Sequence, residues 1–194
     1  MNTDALFQVL SSIKEVSTDF RRTFEPLIVE ERLPKRHLLL CEGQVCRRIY
    51  FVKEGFARAY YYSGSKEFTT WFMGTGEIVI SVYSFFTQRP SFEFIELLEN
   101  STLQSISWQE LQELYSKFPD FNFIGRIITE QYYIRSEETA IQLRTLSASE
   151  RYQTLIKKYP AFLQHTPLIH IASHLGISPE TLSRIRAKKE YINT

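Results

Sequence analysis

Residues 169–189 read Ile-His-Ile-Ala-Ser-His-Leu-Gly-Ile-Ser-Pro-Glu-Thr-Leu-Ser-Arg-Ile-Arg-Ala-Lys-Lys, and this segment restricts the fold more than any other. Ile171, Ala172 and Leu175 fall on one apolar face at helical spacing. Gly176 can take the left-handed conformation that ends a helix. Ser178 can accept the first amide bonds of a second helix, Pro179 suits its first position, and Glu180 sits in its first turn. Leu182 and Ile185 turn that helix's inner face back on the first. Two helices crossing at roughly 90–120° need little bulk at the crossing, which Ala172 and Gly176 provide. The segment therefore predicts a helix, a tight turn and a second helix. Thr181, Ser183, Arg184 and Arg186 are left on or near its outer face, and Lys188 and Lys189 follow. An ordinary helical hairpin leaves that basic, hydrogen-bonding face unexplained, whereas a helix that lies in a DNA groove explains it.

The formal net charge of +1 says nothing about nucleic acid, but its distribution does. From Ser147 onward there are seven Lys or Arg and three Glu, while the preceding 146 residues carry 16 basic and 19 acidic side chains. A basic tail joined to a mildly acidic larger piece suits a sensor joined to a DNA-binding head. With 43% hydrophobic residues, the 194-residue chain can bury a core in one or two domains. No apolar run approaches the roughly 18 residues of a membrane span, and no signal-peptide pattern opens the chain. Two cysteines imply no disulfide framework, so a cytoplasmic setting is expected.

Residues 1 to about 30 read as helical, through Leu6, Leu10, Ile13 and Phe20. Short β-branched and aromatic runs then alternate with turn signals. They predict strands near 37–41, 48–53, 56–62, 67–72, 78–81, 92–98 and 103–107, in a small antiparallel barrel or roll. Trp108 to Phe118 reads as a short helix ended by Pro119, and one long helix is expected from Asp120 to Leu146. Ile127, Ile134 and Ile141 recur every seven residues along it, which suits a dimer seam. Gln131 and Glu138 fall near the alternate seam positions. Ser147 to Glu150 reads as a hinge and helix cap. The expected division is a sensor over residues 1–119, a dimerisation helix over 120–146 and a helix-turn-helix domain over 147–194, with helices near 149–164, 168–175 and 179–190. The fold class is α+β.

A roll, a long helix and a helix-turn-helix, in that order, resemble the Crp–Fnr family of bacterial transcription regulators along nearly the whole chain. Leu39-Leu40-Cys41-Glu42-Gly43, Ile49-Tyr50-Phe51-Val52-Lys53-Glu54-Gly55 and Gly74-Thr75-Gly76-Glu77-Ile78 are similar to motifs of its cyclic-nucleotide-binding fold. The resemblance implies a homodimer that reads a palindromic site on double-stranded DNA and addresses RNA polymerase. Glu180-Thr181-Leu182-Ser183-Arg184 resembles the anaerobic-regulator branch, in which Glu, Ser and Arg contact the half-site. The chemistry agrees, because a carboxylate can accept from cytosine N4 and an Arg fork can bond guanine O6 and N7. Arg186, Lys188 and Lys189 suit phosphates. Pro179 stands where the catabolite-activator branch has an Arg, so that branch's contact is absent. The chain ends soon after this helix, which leaves little room for a β-hairpin wing.

The family's effector pocket is implied to hold a Gly-Glu pair near a ribose and an Arg-Ser pair near a phosphate. Gly76-Glu77 match the first pair. The second falls at Pro90-Ser91, so Pro90 occupies the Arg position, and a one-residue shift along a strand turns the neighbouring Arg89 to the other face. A cyclic nucleotide is thereby possible but disfavoured, since its phosphate loses a bidentate partner. Cys41 and Cys46 are too few for an iron–sulfur cluster. They read as an ordinary strand residue and loop residue, with a thiol switch as the sharper alternative.

His170 and His174 have a spacing that can bind zinc, but no metalloprotease Glu follows His170, and they are expected to face solvent or the DNA backbone. His165 reads as a helix-end residue. His37 is the only histidine of the roll, which argues against a metal-dependent barrel enzyme. No nucleophile elbow, phosphate loop or dinucleotide fingerprint occurs, so no enzyme activity is expected. Glu93, Glu96 and Glu99 read as a solvated face. The alternative function is a ligand-binding or protein-interaction module without sequence-specific DNA binding.

Overall fold

The computed structural model describes residues 2–160 and 166–190, with side chains up to Ala187. Eight strands form two four-stranded antiparallel sheets, flanked by helices. The strands are β1 (Val29–Leu33), β2 (Leu38–Leu40), β3 (Arg48–Glu54), β4 (Phe56–Ser63), β5 (Lys66–Gly74), β6 (Ile78–Val79), β7 (Phe94–Leu97) and β8 (Ser101–Ser107). One sheet runs β1-β8-β3-β6 and the other β2-β7-β4-β5. Val29 pairs with Ser105 and Arg48 with Ser107, which fixes β8 between β1 and β3.

The chain clusters into two units, residues 1–59 with 72–133 and residues 60–71 with 134–194. In the first unit, Val52, Phe56, Phe72, Val79, Ile95, Leu97 and Leu103 are buried in the roll. The Phe56 and Phe72 rings stack with centroids 5.5 Å apart, a geometry that adds to the burial of two large side chains. Helices α1 (Asp4–Ile13), α2 (Thr18–Phe24) and α4 (Trp108–Lys117) contribute a second cluster. There Phe20 meets Phe24, Phe118 and Phe121 at 5.3, 5.3 and 4.6 Å. Gly55 has φ +125, and a Cβ at this position would collide with Ser101, so the β3–β4 turn admits no side chain.

Three elements differ from the sequence-based expectation. The N-terminal helical stretch ends at Leu27, and Val29–Leu33 is strand β1. Its Val-Glu-Glu-Arg-Leu sequence carries little strand signal, and β8 recruits it by backbone pairing. The expected strand at 78–81 stops at Val79, because Ser81 opens helix α3 (Val82–Thr87) in a β-branched and aromatic run. Gln88 ends α3 in the left-handed region, with φ +54.

The long helix α5 spans Pro119–Thr145 and belongs to both units. In the second unit, Ser147 and Glu150 form a capping box that starts α6 (Ala148–Lys158). Two shorter helices follow, α7 (Leu168–His174) and α8 (Pro179–Glu190). Tyr152, Leu155, Tyr159, Ile171, Ala172, Leu175 and Leu182 are buried. The expected extension of α6 to 164, and His165, lie partly or wholly outside the described residues.

Candidate nucleic-acid interface and effector cassette

The turn between α7 and α8 is built by backbone chemistry. Ile177 N–H donates to the Ala172 carbonyl at 3.0 Å, and Gly176 N–H to the Ser173 carbonyl at 3.1 Å. This pair of bonds satisfies two carbonyls at the end of α7 and needs a residue in the left-handed region, which Gly176 supplies with φ +67. Ser178 then caps α8. Its hydroxyl accepts from Thr181 N–H at 3.2 Å, as the sequence led us to expect. Leu182 is completely buried and holds α8 against α7.

Glu180, Ser183, Arg184 and Arg186 are exposed on α8, Ser178 and Pro179 are exposed at its start, and Thr181 is half-buried. Glu180, Ser183 and Arg184, the residues expected from the sequence to read bases, are thus all exposed on one helix. The Ser178 hydroxyl holds the Glu180 carboxyl below its usual range, so Glu180 stays ionised and able only to accept. The side chains of Lys188 and Lys189 lie outside the described residues.

On α5, Ile127 is half-buried, whereas Ile134 and Ile141 are 56% and 53% exposed. Tyr133 and Leu143 add exposed apolar surface to the same helix. Among the described residues, no helix is long and apolar enough to cross a membrane.

The effector-pocket candidates divide between two places. Gly76 and Glu77 belong to the turn between β5 and β6. Gly76 N–H donates to the Val52 carbonyl at 2.8 Å, and the Glu77 carboxylate accepts from Gly74 N–H at 2.8 Å. Arg89 and Pro90 are exposed, and Pro90 bridges to Val45. Ser91 is buried, with its hydroxyl 3.2 Å from that of Ser81 and donating to the Glu93 carbonyl at 3.0 Å. Ser81 donates in turn to the Glu93 carboxylate at 2.6 Å. The structure therefore brings Ser91 together with Ser81 and Glu93, two residues the sequence reading did not assign to a pocket. Burial pushes the Glu93 carboxyl up, against the opposing pull of Ser81.

The solvated-face reading of the three glutamates fails at two of them. Glu93 is buried, and Glu96 receives both Nε and Nη2 of Arg58 at 2.9 and 2.7 Å, with Arg58 itself 3% exposed. Ser91 and Glu93 lie in the irregular segment that precedes β7, so no strand pattern in the sequence marked the pair. His174 also departs from expectation. Its Nδ1 is shielded from solvent, and burial lowers its pKa to about 4. The Cys46 thiol is buried and pushed up, which disfavours the reactive thiolate, while Cys41 is half-buried.

Residues 30–118 match the family model of the cyclic nucleotide-binding domain. The chain is similar in structure to the c-di-GMP-responsive global regulator CLP of Xanthomonas campestris, with a TM-score of 0.68 and 19% identity over 91% of this chain and 93% of that one. FixK2 from Bradyrhizobium japonicum gives a TM-score of 0.73 and 16% identity over 86% of each chain. This chain has the Crp–Fnr fold. The catabolite activator protein of Thermus thermophilus shares it, with a TM-score of 0.57 and 16% identity over 95% of this chain and 88% of that one. No curated protein matches. Within the Crp–Fnr fold, the matched cyclic nucleotide-binding segment contains Gly76, Glu77, Ser81, Ser91 and Glu93, and the helix-turn-helix follows α5 and α6.

Proposed function

We propose that this protein is a DNA-binding transcriptional regulator of the Crp–Fnr type. It acts in the cytoplasm as a homodimer, with a sensor at 1–119, a dimerisation helix at 120–146 and a reading head at 147–194. The observation that carries the reading is α8. Its inner residue Leu182 is locked in the core while Glu180, Ser183, Arg184 and Arg186 are presented together. Glu180, Ser183 and Arg184 read bases, Arg186, Lys188 and Lys189 hold phosphates, and Ser178, Pro179 and Thr181 seat the helix at its N-terminal end. The exposed Ile134 and Ile141 support the dimer, because a two-fold reader needs a seam and an uncovered apolar stripe needs a partner. Half-sites then lie about one helical turn apart, roughly 34 Å centre to centre. RNA polymerase is the partner once DNA is bound.

A cyclic nucleotide is possible as the effector but disfavoured. A phosphate at Pro90-Ser91 would find Pro90 in place of a cation, Arg89 exposed, and the Ser91 hydroxyl already engaged beside the Glu93 carboxyl. The buried Glu93 carboxyl beside the serine offers an anion no compensating positive charge. Calorimetric titration with cyclic AMP and cyclic GMP is expected to show no micromolar binding, and such binding overturns this part of the reading.

Selection from a random DNA pool tests the whole. A two-fold consensus is expected, bound with an affinity that falls steeply with salt as counterions are released. Weak, salt-indifferent binding without a consensus favours a ligand-binding or protein-interaction module instead.

A further inference from the structure

Strand β5 ends its sheet, and the outward backbone groups of an edge strand need partners other than a strand. Helix α7 supplies them. The Ser173 hydroxyl accepts from Thr69 N–H at 2.9 Å and donates to the Glu67 carbonyl at 2.8 Å. One hydroxyl thus satisfies a carbonyl and an amide two residues apart, as a neighbouring strand residue would. On either side of it, His170 Nδ1 lies 3.1 Å from the Glu67 carboxylate, and the His174 ring bonds the backbone of Thr69 and Thr70. Positions 170, 173 and 174 share one helix face. All these residues belong to the second unit. Arg135 over the Trp71 ring, 4.8 Å from its centroid, ties the same hairpin to α5.

We propose that this clasp is a mount: the edge of β5 grips α7 and fixes the orientation in which α8 is presented to DNA. The inference rests on the DNA-reading role of α8. The grip is on the face of α7 opposite Ile171, Ala172 and Leu175, and Glu180, Ser183, Arg184 and Arg186 stay exposed while it is closed. The clasp therefore leaves the reading surface open. Its effect is on the second half-site. A dimer engages two half-sites at once, and a loosely held head lowers the effective concentration of the second. Binding to a single half-site does not depend on that alignment.

The test uses the full chain with Ser173→Ala, Ser173→Thr and Glu67→Gln. Amide exchange at Thr69 reports the clasp directly. Equilibrium binding is measured on the pool-selected two-fold duplex and on the same duplex with one half-site scrambled. Ser173→Ala is expected to speed Thr69 exchange at least tenfold and to weaken the two-fold duplex at least fivefold, with the single half-site within twofold. Glu67→Gln weakens the two-fold duplex by a smaller factor in the same sense, and Ser173→Thr, which keeps the hydroxyl, restores wild-type values. Equal losses on both duplexes, no loss on either, or tighter binding overturns the mount. Unchanged Thr69 exchange overturns the clasp itself. Wild-type protein that binds neither duplex overturns the DNA reading and the mount with it, while Thr69 exchange still reports whether the clasp forms, so the two failures are told apart.

Discussion

Ser81 donates its hydroxyl hydrogen to the Glu93 carboxylate at 2.6 Å, and both residues are buried. Burial raises the Glu93 pKa above its usual carboxylate range. The folded state therefore holds the proton more tightly than the unfolded chain. The favourable contribution is complete below the ordinary carboxylate pKa and is lost as pH rises through the folded value. Glu93→Gln keeps an acceptor for Ser81 and carries no charge. It is expected to raise the melting temperature at pH 8 relative to wild type, with less gain at pH 4, measured by thermal unfolding across pH. An equal gain at both pH values would remove the buried charge as the cause.

His174 has the opposite dependence. Its pKa falls to about 4, chiefly through burial, so the unfolded chain binds a proton near pH 6.5 that the folded chain refuses. Stability is full above pH 6.5 and declines toward pH 4, by up to about 1.4 kcal/mol for each pH unit. Urea unfolding at pH 7 and pH 5 is expected to show a loss on the order of 2 kcal/mol in wild type that shrinks in His174→Asn. An unchanged loss in the variant places the effect elsewhere.

Arg184 and Arg186 should separate by what they touch. Arg184→Ala is expected to cost on the order of 1–3 kcal/mol on the selected site and to relax specificity there. Arg186→Ala should weaken selected and scrambled DNA alike and reduce the salt slope by about 1. Gel-shift titrations at several salt concentrations measure both. Equal losses for Arg184→Ala on matched and scrambled DNA would count against base reading.

The exposed isoleucines of α5 predict the oligomeric state. Ile134→Glu with Ile141→Glu places like charges in the proposed seam and should convert dimer to monomer in sedimentation equilibrium. The variant should keep the wild-type circular dichroism of the folded chain, because both side chains are more than half exposed in the single chain. A dimer that survives the double substitution is held elsewhere.

The turn at Gly176 and the cap at Ser178 were legible in the sequence because their bonds run between near neighbours. Ile177 reaches Ala172 and Thr181 reaches Ser178, so residue type and spacing suffice. Helix α6 was legible for the same reason, through the capping box of Ser147 and Glu150. Strand β1 was not, since Val29–Leu33 becomes a strand by pairing with residues more than 60 positions away. Nor was α3, whose Val-Tyr-Ser-Phe-Phe-Thr sequence favours a strand in isolation. There the surroundings overrode local preference.

The candidate site divides along the same line. Sequence alone determined that α8 presents Glu180, Ser183, Arg184 and Arg186 on its outer face, because a helix's own periodicity sorts its faces. Only the tertiary structure decided that Ser91 meets Ser81 and Glu93, that Arg58 is buried against Glu96, and that Ser173 closes the edge of β5 at Thr69, 104 positions away. Those contacts depend on which strand lies at a sheet edge and which side chain loses its water. Neither is a property of a local stretch of chain.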